Sequence, residues 1–597
     1  MLLTSTPFRK VVICAIGRTL QALVVPRQLG GHLIAFAIIA LAVVGASWSY
    51  LIGIWGSAKT VGLAVGGFFQ ISDASNYAVC AGRILDEGLS RVAEYGGGWC
   101  LRRPIYSTLL ATILGLTDRS WFWTLLVQSV FVALSITVLL RAASRLAGPI
   151  AAIVVLCLMF SFSTEHVFAS TTSESAGLAF GAVGLALLLD ATRLSDQRLL
   201  LLGTVCLSLA LNARAGAFLV LPLLAAGIFF QSTSWRSRLS STAVVIAGII
   251  SGFVVQFFWV AHFGGNPNAS HSNLSYTLYG LSVGGKGWQQ IMTDHPELFL
   301  GSVSRSQIAQ RISDLAWTNV INTPWVIAKA CAKNLLRYLH DPLQGMTRLW
   351  VLWWFGAYAI FLHWRELPHR VVGLMSIGTW LSSSVLIQDG GPRVFAATWG
   401  VTILQLGLGL HLLLSRLWKT MERSASARWS RQLRPHALEV GLPLFLLGAI
   451  FLPLTPLRRL VALTPVPSQG CAKEERELIA RLGHESYMIV LLGEGEAKNE
   501  WRMQVSASNL RRGLWLASGF NYKGFADLSA PATVIHGYQA MATDGRSRVG
   551  DDIRLVWLGD LGGLSGKTVS LCFRPDVTVP VTDVPYYLAD TVRLVNP

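Results

Sequence analysis

Long apolar runs follow one another along most of the chain, and this feature constrains the fold more than any other. Of the 597 residues, 52% are hydrophobic and 14% are charged, whereas soluble globular chains average about 25% charged residues. The first run, residues 33–55, is long enough to cross a hydrocarbon core of about 30 Å. No small-residue cleavage site ends this run. The sequence predicts an α-helical polytopic membrane protein that keeps its first helix.

Clusters of basic residues separate the runs and fall on one side when the runs are threaded in and out of a membrane. Arg141 and Arg145 follow the run at 121–140. Later clusters contain Arg193, Arg198, Arg236, Arg238, Arg416, Lys419, Arg423, Arg428, Arg431 and Arg434. This alternation gives about eleven crossings with the basic loops in the cytoplasm. Because the basic residues form no continuous stripe or tail, the net charge of +17 does not indicate a nucleic-acid partner.

The threading divides the chain into three predicted domains. They are a cytoplasmic N-terminal segment (1–32), a transmembrane domain (33–456) and a soluble extracytoplasmic domain (457–597). Two large outer loops interrupt the transmembrane domain, at about 56–120 and 261–345. Within the first loop, residues 104–116 are apolar but too short to span, so we expect them to lie in the interface or to re-enter.

The composition changes from residue 457 onward, where charges of both signs appear and the hydrophobic runs shorten to strand length. The stretches "SYMIVLL", "WRMQVSA", "RLVWLG" and "TVSLCF" predict strands. The stretch "AKEERELIARLG" predicts an amphipathic helix. Together they indicate a small α+β domain on the outer face.

Four cysteines fall in the predicted outer segments. Cys80 and Cys100 share the first loop, and Cys471 and Cys572 share the terminal domain. An oxidising outer compartment would permit two local disulfides. Four free thiols are the alternative, and the sequence alone does not decide between them.

Charged residues on the predicted outer side are few, and they fall at helix ends. Asp73 leads the first loop and Arg102 and Arg103 close it; further along come Glu174, Arg214, Asp389 and Arg393. If the helices pack together, these loops converge on one outward-facing cavity. Arginine binds phosphate through a planar fork of donors, and a carboxylate can take a proton from an attacking hydroxyl. Such a cavity suits an anionic, lipid-linked substrate.

The stretch "SDASNYAVCAGRILDEG", followed by "RRPIYSTLLATIL", resembles the first outer loop of the GT-C superfamily of polytopic glycosyltransferases, which use polyprenyl-phosphate-linked sugars. Asp73, Tyr77, Gly88, Arg103 and Pro104 match the order of that loop. The later stretches "SESAGLAF", "LNARAGAFLVLP" and "DGGPRVFAATW" resemble later segments of the superfamily. Ala74 and Ile105 depart from its pattern, which often has a second acid and a second proline at these positions. The resemblance covers about residues 33–415.

This resemblance implies a membrane glycosyltransferase, a hexosyl- or pentosyltransferase that moves a sugar from a polyprenyl-phosphate donor to an envelope glycan, lipid or protein acceptor. Asp73 would be the general base or would help to hold a divalent metal ion, and Glu174 would orient the acceptor or a metal. Substrate-binding residues would be Tyr77, Arg102, Arg103, Arg214, Lys286 and Arg393. The implied partners are the lipid bilayer, the lipid-linked donor and the acceptor. The implied location is a cell membrane, as in a bacterial inner membrane, with the terminal domain outside.

Structural explanations compete with these roles. Asp73 is a favoured N-cap residue for a helix beginning near Ala74, and Glu174 complements a helix dipole. Arg102 and Arg103 suit interfacial snorkelling, and "DGGPR" suits a tight turn.

Other functions compete as well. A transporter or flippase for lipid-linked glycans would share the bilayer and the ligand, but it more often shows internal repeats, and the sequence contains none. A glycan polymerase or ligase would share the substrate class.

Overall fold

The computed structural model describes most of the predicted transmembrane domain and parts of the terminal domain. The described residues are 29–55, 60–61, 64–65, 69–70, 73–86, 100, 102–117, 121–230, 234–263, 272–299, 305–343, 349–389, 391–417 and 437–451, and, beyond these, 471–472 and the strands β4 to β11 given below.

The described part of the transmembrane domain is mostly helical. Its helices are α1 Leu29–Trp55, α2 Asp73–Asp86, α3 Pro104–Leu116, α4 Trp121–His166, α5 Glu174–Leu194, α6 Gln197–Ala213, α7 Val220–Phe229, α8 Trp235–His262, α9 Ser272–Ser282, α10 Gln290–Asp294, α11 Arg305–Asn322, α12 Pro324–His340, α13 Trp350–Leu362, α14 Leu367–Leu386, α15 Trp399–Leu417 and α16 Ala437–Phe451. Two 3-10 helices, Pro296–Phe299 and Gly391–Thr398, and the short strands β1 Thr60–Val61, β2 Ala64–Val65 and β3 Phe69–Gln70 accompany them.

Five described helices are long and apolar enough to cross a membrane. Their spans are Phe36–Ile54, Trp121–His166, Glu174–Leu194, Trp235–His262 and Gly391–Leu414. Shorter apolar helices, among them α6, α7 and α13, lie between these spans along the chain. The chain is therefore a multi-pass α-helical membrane protein, and the figure of about eleven crossings stays a prediction.

Helix α4 consists of two antiparallel limbs. Helical geometry breaks at Ala147 and at Gly148, which has φ 78° and ψ −174°, and Pro149 opens the second limb. The Gln128 Nε2 atom donates to the Val167 carbonyl at 3.2 Å. A straight helix would separate these two residues by roughly 60 Å. The limbs therefore run side by side, and each is long enough to cross a bilayer.

Helix α5 lies at the centre of the bundle and is enclosed by its neighbours along its length. Its residues from Glu174 to Thr192 are buried. The 3-10 segment Gly391–Thr398 packs directly against it, since a Cβ added at Gly181 would lie 2.0 Å from the Ala397 oxygen. Only a residue without a side chain permits this approach. The start of α5 is thereby placed next to the start of α15.

Helix α3 is buried along almost its whole length rather than lying on a lipid surface. The residues from Pro104 to Gly115 are all buried. Thr112 Oγ1 donates to the Ala449 carbonyl of α16 at 2.5 Å. Of the two expected arrangements, the burial excludes an interfacial helix and agrees with a short segment inserted among the other helices.

The described residues of the terminal segment form strands. These are β4 Arg476–Arg481, β5 Ile489–Leu492, β6 Met503–Ser506, β7 Thr533–His536, β8 Tyr538–Ala540, β9 Arg554–Trp557, β10 Thr568–Val579 and β11 Tyr586–Leu594. One sheet has the order β7-β9-β11-β10-β4-β8, and β5 pairs with β6 in parallel. The strands predicted for "SYMIVLL", "WRMQVSA", "RLVWLG" and "TVSLCF" therefore form.

The prediction of an amphipathic helix for "AKEERELIARLG" is wrong, because residues Arg476–Arg481 of this stretch form strand β4. Strand β4 pairs with β10 on one side and β8 on the other. Two neighbouring strands satisfy its backbone groups, and this tertiary pairing overrides the local helical pattern. A disulfide between Cys471 and Cys572 joins the chain just before β4 to strand β10.

Candidate functional site

The start of helix α2, which carries Asp73, is fastened to the turn that precedes α5. The Thr171 hydroxyl donates to the Ala74 carbonyl at 2.7 Å. The side chain of Gln70 accepts from the Thr171 amide at 2.8 Å and donates to the Ala169 carbonyl at 3.0 Å. Asp73 is the first residue of α2 and is half-buried. Its carboxylate is therefore held beside the first turn of α5.

A disulfide and a pair of tyrosines join α2 to α3. Cys80 of α2 is bonded to Cys100, with the two Cα atoms 5.4 Å apart. The rings of Tyr77 and Tyr106 meet edge to face at 5.2 Å. Arg103 lies at the N-cap of α3 and is buried, and its Nη1 atom donates to the Arg102 carbonyl at 2.7 Å. The first loop thus brings Asp73, Tyr77 and Arg103 into one region.

Glu174, Arg214 and Arg393 form a three-residue ionic cluster. The Glu174 Oε1 atom lies 2.6 Å from both Nε and Nη2 of Arg393 and 3.5 Å from Nη2 of Arg214. Arg214 Nε also donates to the Arg393 carbonyl at 3.3 Å. The Glu174 side chain is 1% exposed, whereas those of Arg214 and Arg393 are 15% and 22% exposed. Residues from three separate predicted outer turns therefore meet.

Local backbone structure explains why these side chains meet. Glu174 opens α5, and Arg214 is the extended C-cap residue of α6. A Cβ at Gly177 would lie 2.7 Å from the Arg214 Cβ, so the absence of a side chain there admits the arginine. Arg393 follows Gly391, whose φ of 64° starts the 3-10 segment that packs on α5. Small residues on α5 thus determine where both guanidiniums lie.

The residues of the first loop and the ionic cluster interact electrostatically. Burial lowers the pKa of Arg103 to about 10; Arg214 and Arg102 lower this pKa further, and Tyr77 and Asp73 oppose the shift. Burial also raises the pKa of the Tyr77 hydroxyl. Asp73 acts electrostatically on Arg393, which belongs to the ionic cluster. We call Asp73, Tyr77, Arg103, Glu174, Arg214 and Arg393 together the outer polar cluster.

Asp389 lies next to this cluster, in the turn after α14. Burial raises its pKa from 3.8 to about 6, while Thr277 and Arg214 oppose the shift. The Thr277 hydroxyl donates to the Asp389 carboxylate. Helix α9 of the second outer loop is thereby joined to the turn that leads to Arg393.

Lys286 stands apart from the other predicted ligands. It is exposed in the turn after α9, where its backbone amide donates to the Gly280 carbonyl at 2.8 Å. Within the described residues, no hydrogen bond or ion pair joins its side chain to the outer polar cluster. Of the predicted site residues, Lys286 is therefore the one that the structure does not bring to the cluster; Arg102 adjoins it through Arg103.

Four residues that support the site carry no strong signal in the sequence. Gln128 holds the turn before α5 by donating to the carbonyls of Val167 and Ser170 at 3.2 and 3.0 Å. Gln70 and Thr171 hold the start of α2 through hydrogen bonds, and the Thr277 hydroxyl donates to the Asp389 carboxylate. Gln128 is a lone amide within an apolar run, which is the one hint that the sequence offers, since buried amides need partners.

A divalent metal ion would need several oxygen ligands. Among the described residues, no group of three or more His, Cys, Asp or Glu side chains could hold one. Glu174 Oε1 is already engaged by two arginines. Asp73 makes no ion pair with the described residues, so its carboxylate stays available for a metal or for a proton. The described side chains alone do not complete a divalent-metal site.

The fold and the cluster define a multi-pass helical membrane protein with a buried, mixed-charge site at one end of its bundle. Its similarity to known structures is distant. The oligosaccharyltransferase AglB from Archaeoglobus fulgidus, in complex with an inhibitory peptide and a dolichol-phosphate, matches at 13% identity and a TM-score of 0.38, over 73% of this chain and 56% of that one.

A second structure of the Archaeoglobus fulgidus oligosaccharyltransferase, tethered with an acceptor peptide, matches at 13% identity and a TM-score of 0.38, over 71% of this chain and 55% of that one. ArnT from Cupriavidus metallidurans matches at 15% identity and a TM-score of 0.27, over 64% of this chain and 77% of that one. The chain thus spans a little over half the length of the archaeal chains it matches.

Both AglB and ArnT belong to the GT-C superfamily that the sequence resembles. At these identities and TM-scores, the similarity transfers neither an activity nor site residues to this chain. No protein-family model and no curated protein sequence matches it.

Proposed function

We propose that this protein is a membrane glycosyltransferase that moves a sugar from a polyprenyl-phosphate donor to an acceptor on the outer face of the membrane. One observation carries the proposal: five charged residues from distant parts of the sequence meet at one end of the helix bundle. They are Asp73, Arg103, Glu174, Arg214 and Arg393. The resemblance of the first outer loop to GT-C enzymes supports the same activity.

The charge balance of the outer polar cluster favours an anionic ligand. Three guanidiniums face two carboxylates, which leaves a net charge of +1. Glu174 holds Arg214 and Arg393 in place, and both keep part of their surface exposed. Each guanidinium has five donors in a fixed fork, so donors remain for a phosphate. We propose that Arg393 and Arg214 bind the phosphate of the lipid-linked sugar donor and that Arg103 adds positive potential to the site.

Asp73 is the general base in this proposal, because its carboxylate is half-buried and makes no ion pair with the described residues. It takes the proton of the acceptor hydroxyl as that oxygen attacks the anomeric carbon. The bond between this carbon and the phosphate oxygen breaks, and the leaving phosphate carries away the electron pair. The arginines stabilise the negative charge that develops on the phosphate. We assign Tyr77, which interacts electrostatically with Asp73 and Arg103, to the same substrate site.

The location of the cluster favours this function over transport. A transporter binds its substrate near the middle of the membrane and opens to both sides. The outer polar cluster instead lies at helix ends, at the starts of α2, α3 and α5 and the end of α6. We place this end outside, in a cell membrane such as a bacterial inner membrane, with residues 457–597 on the same side. A polymerase or ligase of whole glycans remains the second candidate, because it uses the same donor chemistry.

The test is sugar transfer from a polyprenyl-phosphate sugar by the purified full-length protein in detergent. Asp73→Asn should lower the rate by about 10²- to 10⁴-fold, the usual contribution of a general base. It should leave donor affinity nearly unchanged. Arg393→Ala should instead weaken donor binding.

Asp314→Asn, which alters an exposed carboxylate on α11, is the matched control and should transfer at the wild-type rate. Wild-type transfer by Asp73→Asn would remove Asp73 from catalysis. Transport of a lipid-linked sugar across proteoliposomes without any transfer would overturn the enzymatic function itself.

A further inference from the structure

Helices α11 and α12, in the second outer loop, expose several large apolar side chains. Ile321 is 75% exposed and Trp325 is 83% exposed, and Trp317 and Leu336 are exposed as well. Trp317, Ile321 and Trp325 are spaced four residues apart along the chain, across the joint between the two helices. Along α12, Trp325, Ala332 and Leu336 lie on one face, with Ala328 beside them. Such a patch marks an interaction surface.

The opposite face of α12 packs on the outer ends of three membrane helices. The Tyr338 hydroxyl lies 3.3 Å from Thr402 Oγ1 of α15, and the Tyr338 ring lies 6.3 Å from that of Trp353 in α13. Asn334 Nδ2 donates to the Ser384 carbonyl of α14 at 3.1 Å. These contacts lie within a turn or two of the helix ends. They place α12 at the level where those helices leave the membrane.

The apolar face of α12 continues into a membrane-facing surface. The His340 ring, at the end of α12, lies 6.2 Å from the ring of Trp350, at the start of α13. Beyond Trp350, helix α13 exposes Val351, Trp354 and Phe355. Tryptophan at this depth is typical of the membrane–water interface. The patch on α11 and α12 is therefore an extension of the surface of α13 that faces lipid.

Basic residues border the apolar face of α12 along one edge. Lys329 and Lys333 are exposed and lie one turn apart. Arg337 follows one turn later and donates to Gln388 Oε1 at 3.1 Å. An apolar stripe beside lysines is the pattern of a helix that lies in the plane of the interface, with its lysines at the depth of lipid phosphates. Anionic headgroups complement this charge.

We propose that helix α12, with the adjoining end of α11, docks on the outer leaflet of the bilayer, with Trp317, Ile321, Trp325 and Leu336 among the acyl chains and Lys329 and Lys333 on anionic headgroups. The same helix contacts Gln388, the neighbour of Asp389, through Arg337. Docking of α12 therefore fixes how far from the membrane surface the turn that leads to Arg393 lies. This inference requires a membrane protein but does not depend on sugar transfer.

The test measures the accessibility of spin labels in the full-length protein, reconstituted into phosphatidylcholine bilayers containing phosphatidylglycerol. Single labels are placed by Trp325→Cys and by Leu336→Cys, in a background with Cys14, Cys157, Cys206 and Cys331 changed to Ala. Both labels should collide with oxygen, which concentrates in lipid, far more than with a water-soluble nickel complex. Val351→Cys on α13 is the lipid-facing reference, and Glu297→Cys, at an exposed carboxylate in the second outer loop, is the water-facing reference.

Labels at 325 and 336 that behave like the label at 297 would overturn the proposal. Labels that neither reagent reaches would also overturn it, because a protein partner would then cover this face. The lysines are tested by the phosphatidylglycerol that co-purifies with the protein. Lys329→Gln and Lys333→Gln should each lower the amount of co-purifying phosphatidylglycerol, relative to wild type, about fivefold. Unchanged retention in the double variant would remove the lysines from the docking surface.

Discussion

Glu174 is the residue on which the arrangement of the outer polar cluster most depends. Its carboxylate is 1% exposed and accepts from Arg393, with Arg214 close by. A buried charge is tolerated only when it is paired, so each partner holds the other in place. The sequence predicted the three residues as site candidates at separate turns. It could not predict their pairing, because Glu174 and Arg393 are 219 residues apart.

Glu174→Gln should destabilise the protein by about 3 kcal/mol, near the lower end of the range for breaking a buried ion pair. The reason is that two guanidiniums lose their counter-charge while they remain 15% and 22% exposed. The apparent unfolding temperature in detergent measures the loss.

Glu165→Gln is the matched control for Glu174→Gln. The Glu165 side chain is 67% exposed beside His166, and exposed pairs contribute only about 0–1 kcal/mol. Equal unfolding temperatures for the two variants would contradict the structural role of Glu174.

Asp389 makes stability depend on pH in a predictable direction. Burial raises its pKa from 3.8 to about 6, so the folded protein binds this proton more tightly than the unfolded chain does. The contribution is therefore full below the unfolded pKa and is lost as the pH rises through about 6. In a comparison of unfolding temperatures, wild type should fall relative to Asp389→Asn between about pH 4 and pH 6.

Thr277→Val gives an independent check of this titration. The hydroxyl of Thr277 opposes the rise in the Asp389 pKa, so its removal should move the fall in stability to higher pH. A parallel pH profile for wild type and Asp389→Asn would show that another group causes the change.

At the scale of single elements, backbone geometry and neighbouring elements decide more than local pattern does. The turn inside α4 follows from Gly148 and Pro149, a pair that the sequence shows as a helix break. Strand β4 shows the opposite case, because its amphipathic helical pattern gives way to pairing with β8 and β10. Helices were predictable where apolar runs were long. The pairing with neighbouring strands that makes a short charged stretch form a strand was not predictable from the sequence.

Gly148→Ala should destabilise the protein by about 1–3 kcal/mol, because φ 78° and ψ −174° lie in a region that is almost restricted to glycine. A Cβ there would meet the His411 ring only at 3.8 Å, so the cost comes from the backbone and not from a steric clash. The apparent unfolding temperature in detergent is the measurement.

Gly45→Ala in α1 is the control variant for Gly148→Ala. A Cβ at this position would meet no atom within 4 Å, and alanine favours a helix over glycine by about 1 kcal/mol. This variant should be as stable as wild type or more so. A neutral Gly148→Ala would contradict the strained turn between the two limbs of α4.

At the scale of the whole molecule, the two ends of the bundle differ in charge and in role. The outer polar cluster lies at one end. Arg145 and Asp190 form a buried ion pair in α4 and α5, towards the turn at Gly148. Among the described residues, Arg141, Arg145, Arg193 and Arg198 lie at this second end. The positive-inside pattern predicts that this end faces the cytoplasm.

Alkaline phosphatase fused after residue 234 should be inactive, because the positive-inside pattern predicts that this loop, next to Arg236 and Arg238, faces the cytoplasm. The same enzyme fused after residue 263 or after residue 597 should be active, because both points are predicted to lie outside. Enzyme activity per amount of fusion protein is the measurement. High activity at 234 with low activity at 263 would reverse the orientation and place the cluster in the cytoplasm.

The sequence by itself determined the membrane class and the short set of charged residues at helix ends, and it predicts the direction of threading. These follow from hydrophobicity and charge, which act on each segment separately. Only the tertiary structure decided that Glu174 joins Arg214 and Arg393, that Lys286 stays apart, and that α12 turns an apolar face outward. Such contacts depend on close approach between distant segments, as at Gly177 and Gly181, and no local pattern in the chain specifies which segments will meet.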